Sequence, residues 1–207
     1  MAEAVYEALR LVHEMIGNEE FREELQKAKE DYFRKVGAPL PGEPLEEIRL
    51  GSFVEWFAFD RPLLSSGRTP AAECLQRHPE LDAPVKEALQ GLQQAVHSIF
   101  LVKKRAPGKV NLKDMLSNKV YKEVKRAPVT LGKGDMADLR IFPLGEDWYA
   151  TDALCVHPYS AKKHIKKKLK ELRKNGGDPD ELLLSLILLN TKYERAPRPV
   201  KDKVYAG

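Results

Sequence analysis

Cysteine is nearly missing from this chain: Cys74 and Cys155 are the two among 207 residues, and neither sits in a CxxC spacing. That excludes a disulfide framework and an all-cysteine zinc site, and it fits free thiols in a reducing, cytoplasmic compartment. Long apolar runs are missing as well. The most apolar stretch, LLLSLILL at 182–189, is about half the length of a bilayer-spanning helix. The opening MAEAVYEALRLVHEM mixes charged with apolar positions, so no secretory signal is expected. There is no GxSxG, HExxH or GxGxxG. Gly132-Lys133-Gly134-Asp135 lacks phosphate-loop spacing and leads into strand-like rather than helix-like sequence, so it is expected to be a hairpin turn.

What is present divides into three kinds of sequence. Residues 98–152 carry short runs rich in β-branched, aromatic and aliphatic residues at 99–103, 109–112, 120–125, 136–142 and 148–150. Turn signals separate them at Pro107-Gly108, Ser117-Asn118, 132–134 and 145–147. Strands this short need closure or a helical cover, which predicts a small antiparallel β meander or barrel.

Helical periodicity dominates on either side. Val5, Leu9, Val12 and Ile16 share one face of a helix over 2–16. Asn18 is placed to cap a second helix over 19–36, with Phe21, Leu25, Ala28, Tyr32 and Val36 inward. The proline- and glycine-rich GAPLPGEP at 37–44 breaks the pattern. Phe53, Trp56, Phe57 and Phe59 crowd residues 45–62, and rings that dense are core. Thr69-Pro70 opens a helix through Arg77, and residues 80–97 supply another. Beyond the sheet, 160–175 has a narrow stripe of Ile165, Leu169 and Leu172 amid lysines. Asp178-Pro179 starts a final helix that is apolar nearly all round, and residues 195–207 read as an extended tail. The fold class is therefore α+β: a mainly helical 1–97, a β region 98–152, C-terminal helices 153–194 packed on it, and the tail.

The segments FVEWFAFDRPL, SGRTPAAECL, SIFLV, VNLKDMLSNKVYKEV and LGKGDMADLRIFPLGEDWY, between Phe53 and Tyr149, resemble a block of uncharacterised bacterial proteins, some carrying a SEC-C motif. In that block a helical WF-FD segment precedes an LRDLLTG-like β region. The resemblance implies architecture rather than an activity, and the cysteine-rich zinc element of those proteins has no counterpart here.

Candidate chemistry is sparse. Cys155-x-His157 with His164 lacks a fourth zinc ligand, Glu55 and Asp60 fall five residues apart and off a common helical face, and neither thiol has an activating neighbour. No catalytic, cofactor or metal residue is assigned. Charge is the stronger signal: residues 1–100 hold 11 Lys/Arg against 18 Asp/Glu, whereas 101–175 hold 19 against 8. Lys103, Lys104, Arg105, Lys122, Lys125 and Arg126 accompany the strands. Lys162, Lys163, Lys166, Lys167, Lys168, Lys170, Arg173 and Lys174 share one helix. Such clusters can bind phosphate backbones or pair with the acidic half of the chain. The expected function is a non-enzymatic intracellular binding module acting through protein contacts or self-association, with Leu182, Leu183, Leu186 and Ile187 as interface. Nucleic-acid binding by the basic surface of residues 103–174 is the alternative.

Overall fold

The computed structural model describes residues 2–43, 45–127 and 129–205. Met1, Pro44 in the proline-rich connection, Pro128 and Ala206-Gly207 in the tail lie outside them. The architecture is α+β. Helices α1 (Ala2–Ile16), α2 (Arg22–Val36), α3 (Glu46–Phe59), α4 (Pro70–Arg77) and α5 (Ala83–Gln93) precede the sheet. Strands β1 (Val96–Ala106), β2 (Lys109–Asp114), β3 (Val120–Lys125), β4 (Met136–Leu144) and β5 (Asp147–His157) then form it, and α6 (Lys162–Asn175) and α7 (Pro179–Arg195) follow. Among the described residues no helix is long and apolar enough to cross a membrane.

The strands close into a barrel in the order β1-β2-β3-β5-β4. Four of the pairings are antiparallel and β3 runs parallel to β5, so the wholly antiparallel expectation is corrected. The cause is the connection after β3, which carries the chain across so that β4 pairs with β1 and leaves β3 beside β5. Strand β1 begins at Val96, where a helix through residue 97 was expected. Its alternation of inward Phe100 and Val102 with outward His97 and Ile99 suits a strand, and a bulge between Val102 and Lys104 bends it from β4 toward β2. Strand β5 likewise continues to His157, beyond the expected 148–150.

Three apolar clusters hold these layers. Phe100, Val110, Leu112, Leu139 and Ile141 fill the barrel. On one outer face, Phe142 and Tyr149 join the helical core built from Phe21, Phe53, Phe57 and Leu89. Tyr32 of α2 packs its ring 5.1 Å from Trp56 of α3, so the aromatic segment is core as expected. On another face, Ile99 and Met136 meet Ile165 and Leu169 of α6 and Leu183 and Leu186 of α7.

Local starts match their chemistry in part. Thr69 accepts from the Ala72 amide and Asp178 from the Asp180 amide, each ahead of a proline at the helix start. Asn18 makes no side-chain cap; a 3-10 turn over Glu19–Phe21 leads into α2 and buries Phe21 instead. The tail is not extended. It turns through a 3-10 segment, Arg198–Lys203, and inserts Tyr205, 2 % exposed, against His157, His164 and Tyr193.

Candidate nucleic-acid interface

Helix α6 presses Ile165 and Leu169 onto the barrel and turns its lysines outward. Two contacts fix its direction. Near its start, the Lys162 ammonium reaches the Gly132–Gly134 turn, 4.0 Å from where a β-carbon on Gly134 would sit. That turn is tied to β1 by the Gly134 amide donating to the Val102 carbonyl at 2.8 Å, which brings Lys103 and Lys104 alongside. Near its end, the Arg173 guanidinium donates to the Met115 carbonyl at 2.6 Å. The helix therefore runs from the β3–β4 connection to the β2–β3 turn.

Just past that turn stands an aromatic pair. Tyr121 and Trp148 meet edge-on with centroids 4.6 Å apart, and the Lys119 ammonium lies 4.7 Å and 5.2 Å from the two rings. Trp148 is half-buried at the barrel mouth, whereas Tyr121 is buried.

The lysines and arginines read from the sequence fall into two sets. Arg105 donates to the Leu131 carbonyl, Lys125 pairs with Asp147, Arg126 pairs with Asp152 at 2.8 Å, and Lys167 and Lys168 share Glu171. By contrast, Lys103, Lys104, Lys122, Lys163, Lys166, Lys170 and Lys174 are exposed and, among the described residues, form no ion pair. Lys122 lies on β3, Lys103 and Lys104 at the β1 bulge, and the other four on α6. The expected interface helix lies differently: Leu183 and Leu186 are 0 % and Ile187 is 7 % exposed, and Leu182 is half-buried against the same core. Their apolar surface is covered by the chain itself, because α7 fits between the N-terminal helices, α6 and the tail.

A buried polar seam escaped the sequence reading. Glu55 of α3 accepts from the Thr151 hydroxyl at 2.9 Å and the Ala153 amide at 3.0 Å, and lies 3.5 Å from Arg140. Asp60, the residue closing α3, accepts from the same guanidinium. His97 Nδ1 sits 3.2 Å from Arg140 Nη2 and its Nε2 sits 2.9 Å from Asp138. Since a guanidinium only donates, Nδ1 accepts and Nε2–H donates to Asp138. Burial pushes the Glu55 carboxyl above its ordinary range, against the pull of Arg140. Burial alone would lower Arg140, but Asp60 and Glu55 outweigh it and hold the group above its ordinary value.

This seam fastens helix to barrel without presenting a nucleophile. Burial raises the Cys155 thiol well above its ordinary value, with Asp138 adding to the effect, so the sulfur stays protonated. His157 and His164 turn to the Tyr205 ring, with His157 Nδ1 3.0 Å from its hydroxyl, rather than to a shared ligand position. Among the described residues no group of three or more His, Cys, Asp and Glu could hold a metal.

Fold and surface together define a helix-clad five-stranded barrel protein whose helix α6 carries exposed lysines. The chain belongs to a family of unknown function, DUF7986, whose match spans residues 5–182. No curated protein and no solved structure matches it.

Proposed function

We propose that the protein binds nucleic acid along the lysine-covered side that joins α6 to the barrel mouth. The observation that carries the reading is the Arg173–Met115 hydrogen bond, because it ties the lysine-bearing helix to the β2–β3 turn, beside which Tyr121 and the half-buried Trp148 stand. Lysines rank the backbone by charge and release counterions, while Trp148 offers a π-face to a base. Five-stranded barrels of the oligonucleotide-binding type use the face of strands 2 and 3 and the loops between strands 1–2 and 4–5; here Lys122 lies on strand 3, and Trp148 stands on strand 5 just past the 4–5 turn. That is support by architecture alone.

The protein-contact reading has less support, since Leu183, Leu186 and Ile187 pack within the chain. Two unpaired cysteines agree with work in the cytoplasm. The resemblance of Phe53 to Tyr149 to the WF-FD block of SEC-C-type proteins fits the same architecture without adding a ligand.

The test is fluorescence anisotropy with labelled single-stranded and duplex oligonucleotides of mixed sequence. Binding at low salt is expected, weakening steeply between about 50 and 200 mM salt. Replacing Lys163, Lys166, Lys170 and Lys174 together by Glu should abolish it while leaving the circular dichroism melt intact. Absence of binding at low salt, or affinity untouched by the four substitutions, overturns the reading.

A further inference from the structure

We infer that the cleft bounded by α2, α3, β5 and α7 is a binding site for a small uncharged aromatic molecule carrying one hydrogen-bond donor. The inference is independent of nucleic-acid binding and lies on a different part of the molecule. The cleft has a volume of about 330 Å³ and, among the described residues, its walls are mainly Tyr32, Val36, Ile48, Leu154, Val156 and Ile187. Ile48 and Val156, each 37 % exposed, form its rim. Apolar concavities of this kind gain most by excluding water, and polar groups at a few points then orient the ligand.

The charges around the cleft decide the ligand's own charge. Arg49 is matched by Glu43 at 2.8 Å and also donates to Thr191. Glu194 is matched by Lys201 at 3.6 Å. No unmatched charge faces the space from these walls, so a charged ligand would lose its hydration without gaining a partner. Besides these charges, the polar side chains lining the cleft are Ser52, Thr130 and Asn190, and Asn190 already donates to the Val156 carbonyl at 3.1 Å. The Ser52 hydroxyl gives its proton to the Ile48 carbonyl at 2.9 Å, which keeps its oxygen lone pairs for a donor in the cleft. At about 30 Å³ per water-sized atom, the volume accepts on the order of ten non-hydrogen atoms, the size of a bicyclic phenol or an indole. The Tyr32 ring supplies an aromatic wall for such a molecule.

Cys155 lines the cleft and Cys74 is fully buried in the helical core, so one thiol reports on occupancy. The experiment follows the reaction of the intact protein with an uncharged aromatic disulfide at mildly alkaline pH, where the raised Cys155 thiol supplies some thiolate, with and without 2-naphthol. Slower modification of Cys155 in the presence of 2-naphthol is expected, and naphthalene-2-carboxylate of similar size should give no protection. Val156→Trp, a rim change that leaves the cores alone, should remove protection with an unchanged thermal melt. Ser52→Ala should weaken it about tenfold, the loss of one hydrogen bond. The inference is overturned if 2-naphthol gives no protection up to its solubility, if the carboxylate protects equally, or if protection survives Val156→Trp.

Discussion

Gly91 of α5 faces the Pro143 carbonyl of β4 so closely that a β-carbon on Gly91 would lie 2.0 Å from that oxygen. The neighbour is backbone, not a side chain that could swing aside. In an unpacked helix, glycine to alanine stabilises by about 1 kcal/mol. Here the sign is reversed, because α5 must lift off the barrel. Gly91→Ala is expected to destabilise by about 2 kcal/mol or more, in the upper range of overpacking changes. Urea unfolding checks it: the midpoint should fall at unchanged slope.

Arg140 of β4 pairs with two carboxylates, Glu55 of α3 and Asp60 at its end, while Asp138 on its own strand is held through His97, and removing it leaves the three acids without a guanidinium among them. Arg140→Met is expected to cost about 3–5 kcal/mol, the range for breaking a buried ion pair from one side. The pH dependence carries the cause. The folded-state carboxyl of Glu55 is already raised by burial, so its protonated form is the one the fold favours. Its contribution to stability is therefore full in acid and lost as pH rises through the folded value. Without Arg140 that loss grows, and the deficit of the variant should be largest near neutrality and shrink below the ordinary carboxylate range. A deficit constant with pH would assign the effect to lost packing.

His157 gives a slope of the opposite sense. Burial lowers it from 6.5 to about 4, partly opposed by Asp138, and its Nδ1 meets the Tyr205 hydroxyl. A histidine lowered in the fold contributes stability that is full above its unfolded value and lost as pH falls toward the folded one. Between those limits the protein should lose about 3 kcal/mol. In His157→Gln this part of the acid slope should vanish, as measured by chemical unfolding at a series of pH values.

The parts legible in the sequence are those written in contiguous residues. The α6 lysines and the Thr69-Pro70 and Asp178-Pro179 starts each carry their signal within one or two helical turns, and the structure places them accordingly, whereas the expected hairpin at 132–134 is a turn within the β3–β4 connection, since β3 and β4 do not pair. The polar seam was illegible because its residues come from three elements distant in sequence, Glu55 and Asp60 from α3 and its end, His97 from β1, and Asp138 and Arg140 from β4. The closest warning was Asp138 and Arg140 at alternate positions of an otherwise apolar β4, which places two charges on a face that a helix must cover. The parallel β3–β5 pairing also had no local signature, since it follows from where the connection after β3 goes. Tyr205 shows the same limit: nothing in the proline- and lysine-rich tail marks its ring as the filler between His157 and His164.

The proposed nucleic-acid site predicts separable contributions from the lysines and Trp148, and salt titration tells them apart. Each phosphate contact of a single strand contributes about 0.7 to the slope of log K against log salt. Substituting Lys163, Lys166, Lys170 and Lys174 one at a time by Ala should lower that slope stepwise and weaken all sequences alike. Trp148 acts differently, because a stacked base releases no counterion. Trp148→Ala should reduce affinity by about 1–3 kcal/mol at every salt concentration, with the slope unchanged. Lys119, held over both rings, is the internal control: its loss should lower the slope and also loosen the Tyr121–Trp148 pair. If Trp148→Ala instead alters the slope as the lysine changes do, the ring serves only to position Lys119, and the strand passes along α6 without entering the barrel mouth.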